Sequence, residues 1–284
     1  MKILAIGDFH GKFPEKLKKI AKQKDINLIL STGDYTGIAD WRPALKKMFI
    51  EASKGKRISV EEILGKKKYK KLLKKDYAAG KIPLKELNKF HKKVFSVFGN
   101  GDWYKWEFSK SNRDYTCLIK KLKNFKNINR GKAKFRGIKI VGFGGYLDPD
   151  IYFTNKGIKA INTSKERTML RKQRYVKWEK QLMKLMKYKP DILLAHYNPY
   201  KCCDKMNARW SALHNQHMGI SSFNRALKKF KPVLMVCGHI HEGFGSCKIG
   251  KTIVVNAGSA GDGQAAIIDF DEKNKRIKTI KFIR

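Results

Sequence analysis

The chain has 284 residues, with 64 Lys+Arg against 24 Asp+Glu, a formal charge of +40 and a hydrophobic fraction of 42%. That length fits one large domain or two small ones, and the apolar fraction excludes wholesale disorder. No apolar run approaches the roughly 18–20 residues that span a bilayer, and the opening MKILAIGDFHGK has too short an apolar stretch for a secretory signal.

Five cysteines (Cys117, Cys202, Cys203, Cys237 and Cys247) form no CxxC pair. This argues against a disulfide framework or a zinc ribbon, and a reducing cytoplasm is the expected location. The charge has two readings. Of the 64 basic residues 52 are lysine and 12 arginine, which fits lysine-rich compositional drift. The other reading is attraction to polyanions such as nucleic acid or nucleotides. Scarce arginine, the better bidentate phosphate reader, argues against specific DNA recognition but not against electrostatic attraction.

Short apolar runs recur along the chain, and most stop at glycine or a polar residue. ILAI (3–6) runs into Gly-Asp-Phe-His, LILST (28–32) into Gly-Asp, and VFSVF (94–98) into Gly-Asn-Gly-Asp. DILLA (191–195) runs into His-Tyr-Asn-Pro, VLMVC (233–237) into Gly-His-Ile-His, and TIVV (252–255) into Asn-Ala-Gly-Ser. Their length and β-branched content predict buried strands. IKIVGF (138–143) and AAIIDF (265–270) join the same core, and RIKTIKFI (276–283) alternates as a half-buried strand near an edge.

Helical patterns lie between these runs. They cover Pro14–Lys24, residues 166–188 and Ser222–Phe230. The alternation predicts an α/β fold. Residues 51–93 break the rhythm. From Lys54 to Lys93 there are 15 Lys+Arg against 4 acids and no strong strand pattern. They read as a basic, helical insertion within a single domain spanning 1–284. Such an insertion is either a solvated charged face or a cap that attracts an anionic substrate.

Ligand groups in open α/β sheets gather beyond the carboxyl ends of the strands. Here those ends present Asp8, His10, Asp34, Asn100, His196, His239 and His241. Asp8 and His10 are two apart, as are His239 and His241, so each pair can face one pocket from an extended segment. Seven oxygen and imidazole donors exceed what one tetrahedral ion needs and suit two divalent ions bridged by a carboxylate. Such a pair can hold a hydroxide nucleophile and stabilise an in-line displacement at phosphorus. With no cysteine in the set, Mn, Fe, Co, Ni or Zn fits better than a calcium cage or a thiolate site.

The segments GDFHG (7–11), GDYTG (33–37), GNGD (99–102), AHYNP (195–199) and GHIHE (238–242) resemble the five ordered motifs of the calcineurin-like metallophosphoesterases. NAGS (256–259) resembles the segment that often follows them. The resemblance covers roughly residues 1–270. It implies a metallophosphoesterase-type β-sandwich flanked by helices, carrying the basic helical insertion. It further implies one metal on Asp8, His10, Asp34 and His241 and a second on Asp34, Asn100, His196 and His239, with Asp34 as the bridge. The implied activity is hydrolysis of phosphomonoesters or phosphodiesters, with Asn100 and His196 also contacting the reacting phosphate.

One position departs from the family pattern. The third motif commonly carries histidine, which contacts phosphate and can protonate the leaving group; here that position is Gly101. Loss of a general acid is worth about 10²–10⁴ in rate, and good leaving groups suffer least. A phosphodiesterase is therefore favoured over a broad phosphatase. His214 and His217, in the loop-like stretch 207–219, are candidate replacements. Trp103, Tyr104 and Trp106 could stack a base at the mouth of the site or pack under a loop. A non-catalytic protein-interaction scaffold of the same fold, or a nucleic-acid-binding protein or nuclease, is the alternative.

Overall fold

The computed structural model describes residues 1–54, 56, 58–105, 113–147, 165–207 and 214–284. Two six-stranded mixed sheets form its centre, with strand orders β12-β11-β1-β2-β3-β4 and β5-β6-β7-β8-β10-β9. The first contains β1 (Lys2–Ile6), β2 (Ile26–Ser31), β3 (Lys93–Ser96), β4 (Phe125–Asn127), β11 (Ala265–Asp271) and β12 (Arg276–Ile283). The second contains β5 (Gly131–Phe135), β6 (Ile138–Phe143), β7 (Ile192–Ala195), β8 (Leu234–Cys237), β9 (Gly245–Ile249) and β10 (Thr252–Asn256). β1 to β4 run parallel, as do β6, β7, β8 and β10. Antiparallel strands close most of the outer edges, and the alternating β12 occupies one of them.

The central strands β1, β2, β3, β7 and β8 are mostly apolar because they are covered on both faces. In β1, Ile3 and Ala5 enter the layer between the sheets, and Leu4 and Ile6 face the opposite side. In β7, Ile192 and Leu194 enter that same layer, and Leu193 and Ala195 meet the second group of helices. The period of 2 thus builds three apolar layers, two of them roofed by helices. α1 (Glu15–Ala21) covers the first sheet through Leu17 and Ala21. α6 (Lys165–Met186) and α7 (Ser221–Phe230) cover the second through Trp178, Leu182, Met186, Phe223 and Leu227.

The segment 51–93 carries the end of α2 (Arg42–Ser53), then α3 (Val60–Leu64) and α4 (Lys66–Lys89). α3 starts with a capping box in which Ser59 and Glu62 satisfy each other's backbone N–H groups. α4 buries Leu84 and Leu87 against the first sheet's outer core and turns most of its lysines outward. α5 (Thr116–Lys120), β4, β5 and β9 lie outside the predicted elements, and none carries a continuous apolar run like those of β7 and β8. Among the described residues, no helix is long and apolar enough to cross a membrane.

The cysteines form no disulfide framework among the described residues, but two of them pair. A disulfide joins Cys202 to Cys247, with Cα atoms 5.8 Å apart. The partners lie 45 residues apart, one in a turn and one on β9, so spacing along the chain gave no sign of the pairing.

Candidate metal centre

The parallel strands of both sheets deliver their carboxyl ends to one edge, and backbone bonds lock the resulting loops together. Asp8 and Phe9 donate their N–H groups to the carbonyls of Gly33 and Asp34, both at 2.8 Å. Gly238 N donates to His196 O at 2.9 Å, and Ala260 N to Gly7 O at 2.8 Å. A side chain at Gly99 would run into the Asp34 carboxylate, and one at Gly238 into that of Asp8. Glycine at these two positions lets one motif's backbone approach the next motif's acid.

Two donor groups result. Asp8, His10 and His241 have ligand atoms all within 4.8 Å of one another, and so do Asp34, His196 and His239. His241 Nε2 lies 3.2 Å from Asp8 Oδ1 and 3.3 Å from His10 Nε2. His196 Nε2 lies 2.8 Å from Asn100 Oδ1 and 3.6 Å from Asp34 Oδ2. Asp8, Asp34 and His196 are buried, and the other four are partly exposed at the cleft. Six of the seven predicted residues thus fall into the two clusters, and Asn100 sits directly on the second. Asp8, His10, Asp34 and His239 adopt φ of 54°, 49°, 51° and 66°. These left-handed conformations are sparsely populated for residues with a Cβ and persist where surrounding bonds impose them.

Second contacts fix ring orientation. His10 Nδ1 lies 2.9 Å from Thr36 O, and His196 Nδ1 2.9 Å from Thr32 O. A carbonyl accepts only, so Nδ1 carries the hydrogen and Nε2 turns its lone pair to the cluster. The donor set, its burial and these tautomers fit divalent cations.

Electrostatics point the same way. Burial pushes the Asp34 carboxyl up, aided by repulsion from Asp8. Burial acts on Asp8 too, but the hydrogen bond and charge of His241 outweigh it and hold that carboxyl below the usual range. Burial lowers His196 and His239, which keeps them neutral. His241 is raised: its burial is outweighed by the hydrogen bond to Asp8 and the charges of Asp8 and Asp34. A cation bound by these groups would have to displace the protons they hold.

Several side chains hold the ligand loops in place; Asp102 reads from the sequence as a turn or hydrogen-bonding residue, and the structure gives it that role. Asp102 accepts from Asp34 N at 2.9 Å, Tyr35 N at 2.7 Å and Gly99 N at 2.7 Å. It ties the second motif to the third. Asp76, buried on α4, accepts from Gly37 N at 2.8 Å, Ile38 N at 3.0 Å and Trp103 Nε1 at 2.9 Å. Asn256 donates to Ile240 O at 2.7 Å, between His239 and His241. Asp102 and Asn256 lie in recognised motifs, which was the available signal. Asp76 lay in a lysine run and gave none.

Gly101 N donates to Asp34 Oδ1 at 2.8 Å, and Gly101 O accepts from Thr36 Oγ1. The position therefore contributes backbone only. His217 Nδ1 lies 2.6 Å from Oδ1 of the buried Asp204. His214 Nδ1 is buried without a hydrogen-bond partner among the described residues. Tyr104 stacks on Phe98 with centroids 4.6 Å apart, and Trp103 packs against the same core. Those two rings therefore pack under the loop rather than wait at the mouth for a base. Trp106 and residues 208–213 lie outside the described residues.

Residues 1–243 match the sequence profile of the calcineurin-like phosphoesterases. The chain belongs to that family, whose members are generally metal-dependent phosphoesterases. No curated protein matches it. TT1561 of Thermus thermophilus aligns with a TM-score of 0.55 at 19% identity, covering 100% of this chain and 99% of its own. A second crystal structure aligns with a TM-score of 0.58 at 19% identity, covering 99% and 97%. At that identity the likeness concerns the fold. An archaeal phosphodiesterase aligns with a TM-score of 0.39 at 10% identity, covering 99% of each chain.

Proposed function

We propose that the chain is a dimetal phosphoesterase that hydrolyses phosphodiesters in preference to phosphomonoesters. The observation that carries this reading is the pair of adjoining donor clusters, Asp8–His10–His241 and Asp34–His196–His239. Asp8, His10, Asp34 and His241 would hold one divalent ion. Asp34, Asn100, His196 and His239 would hold the other, with Asp34 shared. Mixed oxygen and imidazole donors suit Mn, Fe, Co, Ni or Zn. Such ions, when bound, supply Lewis-acid stabilisation of phosphoryl oxygens and activate water at neutral pH.

The chain's own groups supply position and protons. The carbonyls of Thr36 and Thr32 hold the His10 and His196 rings so that Nε2 faces the cleft. Gly101 has no proton to give, so an ester whose leaving oxygen departs without protonation loses least. His217 is the better of the two replacement donors. Asp204 accepts at its Nδ1, which would leave Nε2 to deliver a proton to the leaving oxygen. The +40 chain favours polyanionic esters, nucleotides or nucleic acid among them.

The test is a metal-reconstituted assay on bis-p-nitrophenyl phosphate beside p-nitrophenyl phosphate. Turnover that requires added metal, favours the diester and disappears in Asp34→Ala is the expected result. His217→Ala should slow an alkyl diester more than a p-nitrophenyl one. Unchanged turnover of both substrates in His217→Ala and in His214→Ala would remove both as donors. No turnover together with no metal bound would favour a protein-interaction scaffold. A KM on an oligonucleotide that is indifferent to salt would exclude the nuclease reading.

A further inference from the structure

A second group of donors lies apart from the strand-end acids and imidazoles. The sulfurs of Cys202, Cys203 and Cys247 all lie within 4.8 Å of one another. Cys202 and Cys203 are sequence neighbours, and neighbouring side chains ordinarily diverge in extended backbone. Here the turn is folded by left-handed φ at both Lys201 (59°) and Cys203 (54°). Cys247 comes from the middle of β9, so its position is fixed by the sheet. Cys202 is buried in the core of the second sheet, and the other two are partly exposed. The Cys203 carbonyl accepts from Asn198 Nδ2 at 2.8 Å and Asn256 Nδ2 at 3.1 Å, which pins the turn from beneath.

A disulfide between Cys202 and Cys247 uses two of these sulfurs and gives no reason for the third. We propose that in the reduced protein the three sulfurs form a binding site for one soft monovalent cation, Cu(I). Thiolates select soft ions, and the borderline divalent ions of the other site prefer oxygen and nitrogen. Structural zinc almost always takes four ligands. Among the described residues no histidine or carboxylate joins these three sulfurs. Three thiolates and no fourth donor therefore favour Cu(I) over Zn. The large positive charge of the chain offsets the net negative charge of a Cu(I)–trithiolate.

The disulfide and the ion exclude each other. Opening the Cys202–Cys247 bond takes two electrons and two protons, supplied by a dithiol reductant that closes to its own disulfide. One Cu(I) then displaces the three thiol protons.

The experiment uses the full chain, reduced with a dithiol and freed of that reagent without oxygen, and titrated with Cu(I) against a chromophoric Cu(I) chelator. The expected result is one equivalent taken up by the reduced protein and none by the oxidised protein. Cys203→Ser should weaken uptake at least 100-fold, although it leaves the disulfide pair intact. Asp34→Ala should leave uptake unchanged, which separates this site from the phosphoesterase reading. Alkylation mapping of the wild-type protein needs no variant. Cu(I) should protect Cys202, Cys203 and Cys247 while the exposed Cys117 still reacts. Equal uptake by Cys203→Ser, uptake by the oxidised form, or unprotected Cys203 would each overturn the proposal.

Discussion

Asp102→Ala tests how the candidate centre is held. The side chain is buried and accepts three backbone N–H groups, from Asp34, Tyr35 and Gly99. Deletion leaves three buried donors without a partner. Hydrogen bonds to a charged acceptor contribute about 1.5–3 kcal/mol each, and the three share one group, so their sum is an upper limit. Burial and the Asp34 charge also push the Asp102 carboxyl up, and removing that unfavourable charge offsets part of the loss. We expect a destabilisation of about 3–4 kcal/mol, a large part of the roughly 5–15 kcal/mol typical of a domain.

Asp102→Asn separates the bonds from the charge. An amide oxygen at the Oδ2 position keeps Asp34 N and Gly99 N but turns its NH2 toward Tyr35 N. The cost should fall to about 1–2 kcal/mol. Urea denaturation gives the stability, and calorimetric titration with Mn(II) gives the affinity. Because Oδ2 alone anchors Asp34 to Gly99, affinity should drop about 10–100-fold in Asp102→Ala and much less in Asp102→Asn. An Asp102→Ala variant within about 0.5 kcal/mol of the wild type, binding Mn(II) as tightly, would refute the reasoning.

Four further outcomes follow from neighbouring contacts. Asp76→Ala should cost about 2–4 kcal/mol by orphaning Gly37 N, Ile38 N and Trp103 Nε1, and it should change the Trp fluorescence; unchanged emission and unfolding midpoint would count against the clamp. Metal affinity should rise with pH up to about 7, where the raised Asp34 carboxyl loses its proton, and more gently beyond it while His241 loses its own. The sign follows because the ion replaces the proton on Asp34 and that on His241, so calorimetry in buffers of different ionisation enthalpy should show proton release below that pH. Without metal the same raised carboxyl makes the folded state the better proton binder, so stability should fall as pH climbs through that window. Gly101→His should speed hydrolysis of esters with poor leaving groups about 10²-fold or more, provided Asp34 Oδ1, which a Cβ there meets at 3.3 Å, gives way by a few tenths of an ångström; a uniform loss on every ester would show that the cleft has no room for the ring.

The residues legible in the sequence are those whose side-chain chemistry has no use in a core. Asp, Asn and His at the ends of apolar runs stand out because a strand end is a poor place for them unless they meet a ligand. That contrast drew out Asp8, His10, Asp34, Asn100, His196, His239 and His241 without any knowledge of which strands pair. The double burial of β1, β2, β3, β7 and β8 was legible for the same reason, as each is a short and mostly apolar run. Where signals were weak, short elements were lost: β4 has three residues, and β9 alternates exposed and half-buried positions before one buried residue.

The contacts that position the ligands were hidden because they run from side chain to backbone, and every residue has the same backbone. Nothing in GDYTG says that its N–H groups need outside acceptors. Yet Asp34 N and Tyr35 N bond Asp102, and Gly37 N and Ile38 N bond Asp76. Both acids have a reason once the backbone conformation is known. Asp34 carries φ of 51° and Gly37 of 81°, and backbone turned this way breaks from β2 and leaves its donors unpaired within the strand. Two buried carboxylates satisfy those donors. One comes from the third motif and one from α4, in the middle of the lysine-rich segment. The basic helix is therefore joined to the loop that carries Asp34. A change in α4 that moved Asp76 would reach Asp34 through the short stretch of backbone that ends at Gly37, so the lysine-rich segment is tied to the candidate centre by a buried carboxylate.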